Sequence, residues 1–272
     1  MELAARTDDF SARFSAFDGQ CRSAIVRGEL RSAWELASSF LPEAEGAERL
    51  PETAAARRSL GLIAYFLGDF VAARAHLEQA LYECGTEHGE EAWERFGDDT
   101  GAVAMSYLAL TTWQLGEVER ARELIDKANQ RAAKIGHGPS KAIPLYWMSY
   151  LEILRGDPQA ALCTAEALVA IAQAHAMTHF SNMAELNIAW AHGRLTDPTV
   201  GRSQFQKAFK AHLDHGFRIG AGFYTGLLAE LEAETLGAER GLARIDEALL
   251  LADQVEYRCD LAFLQRLRAK FC

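Results

Sequence analysis

The chain of 272 residues lacks the features that mark several classes of protein. No apolar run approaches the roughly 18 uninterrupted residues that a membrane-spanning helix needs, so a membrane is not expected as a partner. The segment from Met1 to Asp9 has no apolar signal core, which predicts a cytoplasmic protein. Only six prolines occur, and the long segments show no strand-like alternation, so we expect an all-α protein.

Closely spaced cysteines and an excess of positive charge are also missing. The five cysteines are scattered and form no Cys-x-x-Cys pair, whereas a disulfide framework or a zinc site needs paired spacing. We therefore expect reduced thiols, no bound metal and no cofactor. The 38 acidic residues outnumber the 28 basic ones and give a net charge of -10. Because such a surface repels phosphate backbones, nucleic acid is not expected as a partner.

A short pattern occurs six times: an apolar helical stretch, a tight turn that is usually Gly followed by an acid, and a second stretch rich in small residues. The turns are separated by 40, 48, 40, 40 and 41 residues. They are centred on Gly28, Gly68, Gly116, Gly156, Thr196 and Gly237. A fixed period of this size predicts a helical solenoid, in which each unit buries its apolar face by stacking on the next.

Small residues recur at fixed places in each unit. The clearest unit, residues 60–81, has them where its two helices would cross, which lets the two backbones approach closely. Over the six units the register is Cys21, Ala33 and Phe40; Gly61, Ala73 and Ala80; Ala109, Ala121 and Ala128; Ser149, Ala161 and Leu168; Ala189, Gly201 and Ala208; Ala229, Gly241 and Ala248. The pattern resembles the tetratricopeptide repeat (TPR) family, although its period exceeds that family's usual 34 or so residues.

This resemblance implies a right-handed α–α superhelix of six helix pairs and a terminal helix, forming one solenoid over residues 1–272. The expected units are 7–45, 51–83, 99–136, 139–175, 179–213 and 218–255, with the terminal helix at 257–271. That last helix is amphipathic, so it would either cover the last unit with a polar outer face or leave an apolar edge that favours a homodimer.

Segments 72–81, 96–110 and 227–230 resemble, in the same order, the C-terminal TPR region of bacterial multidomain signalling ATPases, often fused to an adenylyl cyclase domain. More distantly, the chain is similar to the sensor arrays of maltose-regulator-type activators. The first resemblance implies a non-catalytic scaffold or regulatory module in bacterial signalling; the second implies a small-molecule sensor, for instance of a sugar. Residues 136–141 lack the spacing of a phosphate-binding loop, and we assign no catalytic residue.

The inner, concave surface of a TPR array is where ligands usually lie, and the register predicts which residues face it. The candidate groove residues are Arg58, Tyr65, Trp113, Tyr146, Tyr150, Asn187, Trp190, Arg194 and Phe223. Aromatic anchors with an occasional arginine are typical of binding hot spots, and Arg58 and Arg194 would be isolated cations. Such a groove suits an apolar peptide or another domain of the same protein. Alternatively, the aromatic residues fill the inner layer of a tight superhelix.

Two further sets of polar residues are interpreted as solvated. The histidines at expected helix ends are His175, His179, His212 and His215. The first two are four residues apart but span a helix junction, so they should not share a metal-binding face. Glu230, Glu232 and Glu234 alternate along one helix and point to different sides, as surface charges rather than an acid–base pair.

Overall fold

The computed structural model describes residues 10–85 and 97–272, and within these ranges it contains thirteen α-helices and no strand. The prediction of an all-α protein is therefore confirmed. The helices are α1 (Phe10–Val26), α2 (Leu30–Gly46), α3 (Leu50–Leu67), α4 (Phe70–Cys84), α5 (Thr100–Gln114), α6 (Val118–Ile135), α7 (Gly138–Arg155), α8 (Pro158–Ala174), α9 (Thr178–Leu195), α10 (Pro198–Asp214), α11 (Ala221–Leu236), α12 (Ala238–Gln254) and α13 (Leu261–Phe271). Residues 7–9 of the first expected unit and most of the long connection before α5 lie outside the described residues.

The chain divides by its internal contacts into two compact units, Met1–Ser140 and Lys141–Cys272. The first unit contains α1 to α6 and the second contains α8 to α13, with the boundary in the first turn of α7. That all of the chain forms one continuous solenoid stays a prediction.

Both units are built from repeated helical hairpins. In each, consecutive helices pack on one another. Alternate helices also meet: α3 contacts α1 and α5 in the first unit, and α11 contacts α9 and α13 in the second. The odd-numbered helices therefore form an inner layer, as expected for TPR-like helix pairs.

The turns within the pairs adopt the geometry that the sequence predicts. Gly68, at the end of α3, has φ of 81°, in the left-handed region that favours glycine. The next residue, Asp69, caps α4 by accepting a hydrogen bond at 3.0 Å from the backbone N–H of Ala72. At the turn without glycine, Thr196 stays at φ -128°, and Asp197 still caps the following helix.

The small-residue register is confirmed, because every one of its residues is buried. Where α3 and α4 cross, a Cβ atom added to Gly61 would lie 2.5 Å from the Cγ of Leu77. Where α9 and α10 cross, a Cβ atom on Gly201 would collide with the backbone of Gly193. At these crossings the helices are too close for any larger residue.

In each unit, one helix of the inner layer is buried along most of its length. Every residue of α11 from Ala221 to Glu232 is buried, and α5 is buried from Thr100 to Thr112 except for Met105. Even-numbered helices such as α6, in contrast, bury one stripe and expose charged residues on the opposite face. The accessible surface is therefore mostly that of the outer layer.

α13 takes the place that the first helix of a further pair would occupy. It contacts α12 and α11, just as α11 contacts α10 and α9. It buries Phe263, Leu264 and Leu267 and exposes Arg268 and Lys270. Whether α13 caps the array or offers an edge for a homodimer stays a prediction.

Candidate binding surfaces

The nine predicted groove residues are mostly enclosed. Seven of them are between 0 and 6% exposed: Arg58, Tyr65, Tyr146, Tyr150, Asn187, Trp190 and Phe223. Trp113 and Arg194 are half-buried and keep part of their side chains accessible. The burial of the seven matches the alternative in which the aromatic residues fill the inner layer. Their role as partner contacts stays a prediction.

Arg58 belongs to a buried ion network in the first unit. Its guanidinium donates hydrogen bonds to Asp98 at 2.7 Å and Asp18 at 3.0 Å, and Arg22 bonds to both of these aspartates as well. Burial alone would raise the pKa of the Asp98 carboxyl, but the charges and hydrogen bonds of Arg58 and Arg22 hold it below its usual range. The interpretation of Arg58 as an isolated cation is wrong, because two carboxylates neutralise it.

In the second unit, Arg194 is also paired and not isolated, since it forms an ion pair with Glu234. Trp190 donates its indole N–H to Glu230 at 3.1 Å, and Lys270 bonds the other oxygen of the same carboxylate at 3.1 Å. The interpretation of Glu230 as a solvated surface charge is wrong, because its side chain is buried and bonded by Trp190 and Lys270.

The interpretation as a solvated surface charge is also wrong for Glu232. It is 1% exposed and accepts two hydrogen bonds from Arg244, at 3.0 and 3.1 Å. Only Glu234 of the three alternating glutamates is exposed as predicted. A buried charge needs a partner to offset its desolvation, and each buried glutamate has one.

Some of these contacts share a spacing in the sequence. Asp18 and Arg58 are 40 residues apart, and so are Trp190 and Glu230, and Glu230 and Lys270. Because the repeat has the same length at these places, such residues occupy equivalent positions in adjacent repeats and meet across the inner layer. Asp98 is different: the period between the second and third units is 48 residues, so it lies in the connection before α5 and not at the position equivalent to Arg58. Complementary polar residues at one repeat spacing are therefore a signal for the contacts of Asp18 with Arg58 and of Glu230 with Trp190 and Lys270, but not for Asp98.

The inner layer of the second unit also contains a buried acid, Asp260, for which none of the described residues provides a counter-ion. The hydroxyl of Tyr150 donates to Asp260, which is fully enclosed in the turn before α13. Burial raises the pKa of the Asp260 carboxyl to about 6, against the lowering effect of hydrogen bonds from Tyr150, Tyr257 and Cys259. In the same unit, the hydroxyl groups of Tyr146 and Tyr224 form a hydrogen bond of 3.0 Å.

The histidines divide into an exposed and an enclosed set. His175 and His215 are exposed, whereas His212 is 2% exposed and His179 stacks on Phe217 with ring centroids 3.7 Å apart. Burial lowers the pKa of His179 and His212 to about 4, and their mutual repulsion adds to the shift for His212. The solvated interpretation is thus wrong for these two. His175 directly follows the last residue of α8 and His179 is the second residue of α9, so the prediction that the pair spans a helix junction is confirmed.

Each unit has a recess that opens on the surface. The larger, about 330 Å³, lies between α9 and α10, with a mostly apolar floor and a polar rim. Its lining residues are Glu185, Ile188, Ala189, His192, Gln204, Lys207, Ala208 and Ala211. The smaller, about 250 Å³, is lined by Arg31, Trp34, Glu35, Ala64, Leu67 and Asp69. Sequence reasoning missed both, because it looked for the site on the inner layer.

The outer face of α8 carries very little charge. Glu166 is the only ionisable acid or base in its 17 residues, apart from the thiol of Cys163. Cys163, Ala167, Ala170 and Ala174 are all exposed. Since α8 packs on α9, this face belongs to the same unit as the larger recess.

Within residues 10–85 and 97–272, no group of three His, Cys, Asp or Glu side chains is arranged to hold a metal ion. None of the described helices combines the length and apolar character needed to cross a bilayer.

Comparisons with known proteins support the fold. The structure is similar to that of a Rap protein, a TPR-like helical-repeat protein, solved in complex with competence and sporulation factor. The TM-score is 0.61 with 12% sequence identity, and the match covers 99% of this chain and 77% of that chain. At this identity the likeness establishes a TPR-like helical-repeat fold and nothing narrower. No protein-family model and no curated protein sequence matches the chain.

Proposed function

We propose that the chain is a non-catalytic helical-repeat module that binds a protein partner. The proposal rests mainly on the larger recess, whose apolar floor and polar rim have the composition of a protein-binding site. The fold gives further support, because the similar Rap structure was solved with a bound factor. The absence of catalysis is part of the proposal.

The partner would dock on the outer surface of the second unit. Ile188 on α9 and Ala211 on α10 are half-buried and border the recess, and the outer face of α8, with Glu166 as its one charged residue, belongs to the same unit. An apolar helix face of the partner would fill the recess, while Glu185 and Lys207 on the rim would pair with its flanking charges. Trp113 in the first unit remains a proposed additional contact, because it is a half-exposed aromatic residue.

The biological setting is proposed from the sequence resemblance. We propose that the module acts in cytoplasmic bacterial signalling, as part of a signalling ATPase or adenylyl cyclase or as a partner of such proteins. The maltose-regulator resemblance suggests a sugar sensor instead, for which a closed cavity would be expected. Both recesses described above open on the surface, which favours a protein partner over an enclosed small molecule.

The test is a quantitative co-purification from the source cells with the wild-type chain and two variants. Ala211→Arg places a long charged side chain in the recess at a half-buried helix position. Ala133→Arg makes the same change at an exposed position on α6 and serves as the matched control. We expect at least one protein to be enriched by the wild type and the control and lost with Ala211→Arg. An enriched set that is identical for all three chains would refute the proposed site, and no enrichment at all would refute the function.

A further inference from the structure

The smaller recess, between α2 and α3 in the first unit, has a different chemistry from the larger one. On α2, Arg31, Trp34 and Glu35 follow an i, i+3, i+4 spacing, so they lie on one face of the helix. The opposite wall is formed by Ala64 and Leu67 of α3 together with Asp69. The recess thus combines an indole, an apolar wall and two carboxylates.

The indole is held in place and keeps part of its surface accessible. Trp34 is half-buried and meets the ring of His76 on α4 in a T-shaped contact, with centroids 5.9 Å apart. Burial, followed by the charge of Arg57, lowers the pKa of His76, so this imidazole stays neutral at pH 7. His76 therefore positions Trp34 without bringing a positive charge to it.

The carboxylates give the recess a negative balance. Glu35 and Asp69 are both exposed, and Glu35 forms no ion pair with any described residue. One oxygen of Asp69 accepts the hydrogen bond that caps α4, which orients the carboxylate. With Arg31 as the one basic residue in the lining, the formal charge is -1, and the whole chain carries -10.

We propose that this recess binds an arginine side chain of a partner protein. A guanidinium stacks on an indole face and bonds carboxylates in a planar geometry, while its alkyl stem packs on apolar surface such as Ala64 and Leu67. The volume of about 250 Å³ lies below the roughly 300 Å³ at which ligand pockets begin, so it suits one side chain. The inference deepens the proposed function, on which it rests for the existence of a protein partner.

The test uses N-acetyl-arginine N-methylamide as the probe and its citrulline analogue as a neutral control of the same shape. Binding is followed by NMR through the indole N–H signal of Trp34, assigned by its loss in Trp34→Phe. We expect a saturable shift with the arginine probe and a dissociation constant in the millimolar range, as is usual for so small a ligand. The citrulline probe should bind several-fold more weakly, because it keeps the shape and loses the charge.

Two conservative variants test the carboxylates. Glu35→Gln and Asp69→Asn should each weaken the arginine probe about two- to fivefold, and asparagine preserves the helix cap. Glu119→Gln, an exposed glutamate on α6 in the same unit, should leave the affinity unchanged. Equal binding of both probes, unaltered affinity in both carboxylate variants, or no saturable shift would each overturn the proposal.

Failure of the arginine site can be distinguished from failure of the proposed protein-binding function. Arginine binding without any co-purified protein would count against the proposed function and leave the recess chemistry intact. A partner that is lost with Ala211→Arg, in a chain that does not bind the arginine probe, would support the function and refute the arginine site.

Discussion

Asp98 in the first unit and Asp260 in the second are both buried aspartates, yet their pKa values shift in opposite directions. Burial by itself would raise both. Asp98 bonds the guanidinium groups of Arg58 and Arg22, which keep it ionised. Asp260 bonds the neutral hydroxyl of Tyr150, and its pKa rises to about 6.

The contrast extends to two further sets of buried groups. In the first unit the cluster around Arg58 contains two arginines and two aspartates, so its formal charge is balanced. In the second unit His179 and His212 lie against aromatic rings, and burial, not an acid, sets their lowered pKa values. The Arg58 cluster thus stays charged and paired, whereas His179 and His212 are neutral at pH 7. Buried ion pairs also occur in the second unit, since Glu230 and Glu232 bond Lys270 and Arg244.

The largest effect is expected from breaking the paired cluster. Arg58→Ala would leave Asp18 and Asp98 buried with only the half-exposed Arg22 as a partner, and we expect it to lower the free energy of unfolding by about 3 to 5 kcal/mol. Denaturant titration, with hydrogen exchange of the α3 amides to locate the change, measures it.

The control for this prediction is an exposed ion pair in the same unit. Arg120 pairs with Glu78 and Glu117 on the surface, and Arg120→Ala should cost under about 1 kcal/mol. Equal losses for the two variants would mean that burial of the Arg58 cluster contributes nothing special, and the comparison between the units would lose its basis.

The second effect concerns acid. His212 has a pKa of about 4 in the folded chain against a usual 6.5, so the folded state binds fewer protons between these values. The contribution of His212 to the free energy of unfolding is therefore complete above pH 6.5 and is lost as the pH falls toward 4. At 1.36 kcal/mol per pKa unit, the loss amounts to about 3 kcal/mol. We expect His212→Phe, which suits the aromatic surroundings, to remove that loss.

The measurement is the free energy of unfolding at pH 7 and at pH 4. His175→Phe changes an exposed histidine and should leave the pH dependence as in the wild type. If His212→Phe and the wild type lose the same stability between the two pH values, the buried imidazole is not what makes the second unit sensitive to acid.

The fold was predictable because its determinants are local and periodic. The turn at Gly68 and Asp69, and the crossing at Gly61, depend on residues close in sequence, and both lie where the repeat predicts. The polar contacts were not found, since Arg58 meets Asp18 at a distance of one repeat and Asp98 in the connection before α5. Taken alone, Arg58 looks like an isolated cation, whereas comparison of equivalent positions in adjacent repeats would have paired it with Asp18.

The two recesses were harder to predict from the sequence than the polar contacts. Trp34 and Glu35 follow the small residue Ala33 in the second helix of a pair, a place that the register assigns to packing. Whether such residues border a cavity depends on how α2 and α3 diverge, and that divergence has no local sequence signal.

The smallest effect is expected from neutralising Asp260. Because the folded state raises its pKa to about 6 from a usual 3.8, the ionised form at pH 8 destabilises the second unit, and stability from this group returns as the pH falls below 6. Asp260→Asn keeps the acceptor for Tyr150 and removes the charge, so we expect a gain of about 2 kcal/mol at pH 8, part of the roughly 3 kcal/mol that the shift implies. At pH 4 the gain should vanish, because the wild-type carboxyl is then protonated in the folded state.

Asp253→Asn, an exposed position on α12, is the control and should change stability little at either pH. Asp260→Asn also gives a second test of the prediction for His212. In the wild type the stabilisation from protonating Asp260 opposes the loss at His212 over the same pH range, so the two partly cancel. Asp260→Asn removes the opposing contribution, and its stability should therefore fall more steeply between pH 7 and pH 4 than that of the wild type. If Asp260→Asn gains no stability at pH 8 and its stability depends on pH as that of the wild type does, burial does not raise the pKa of Asp260.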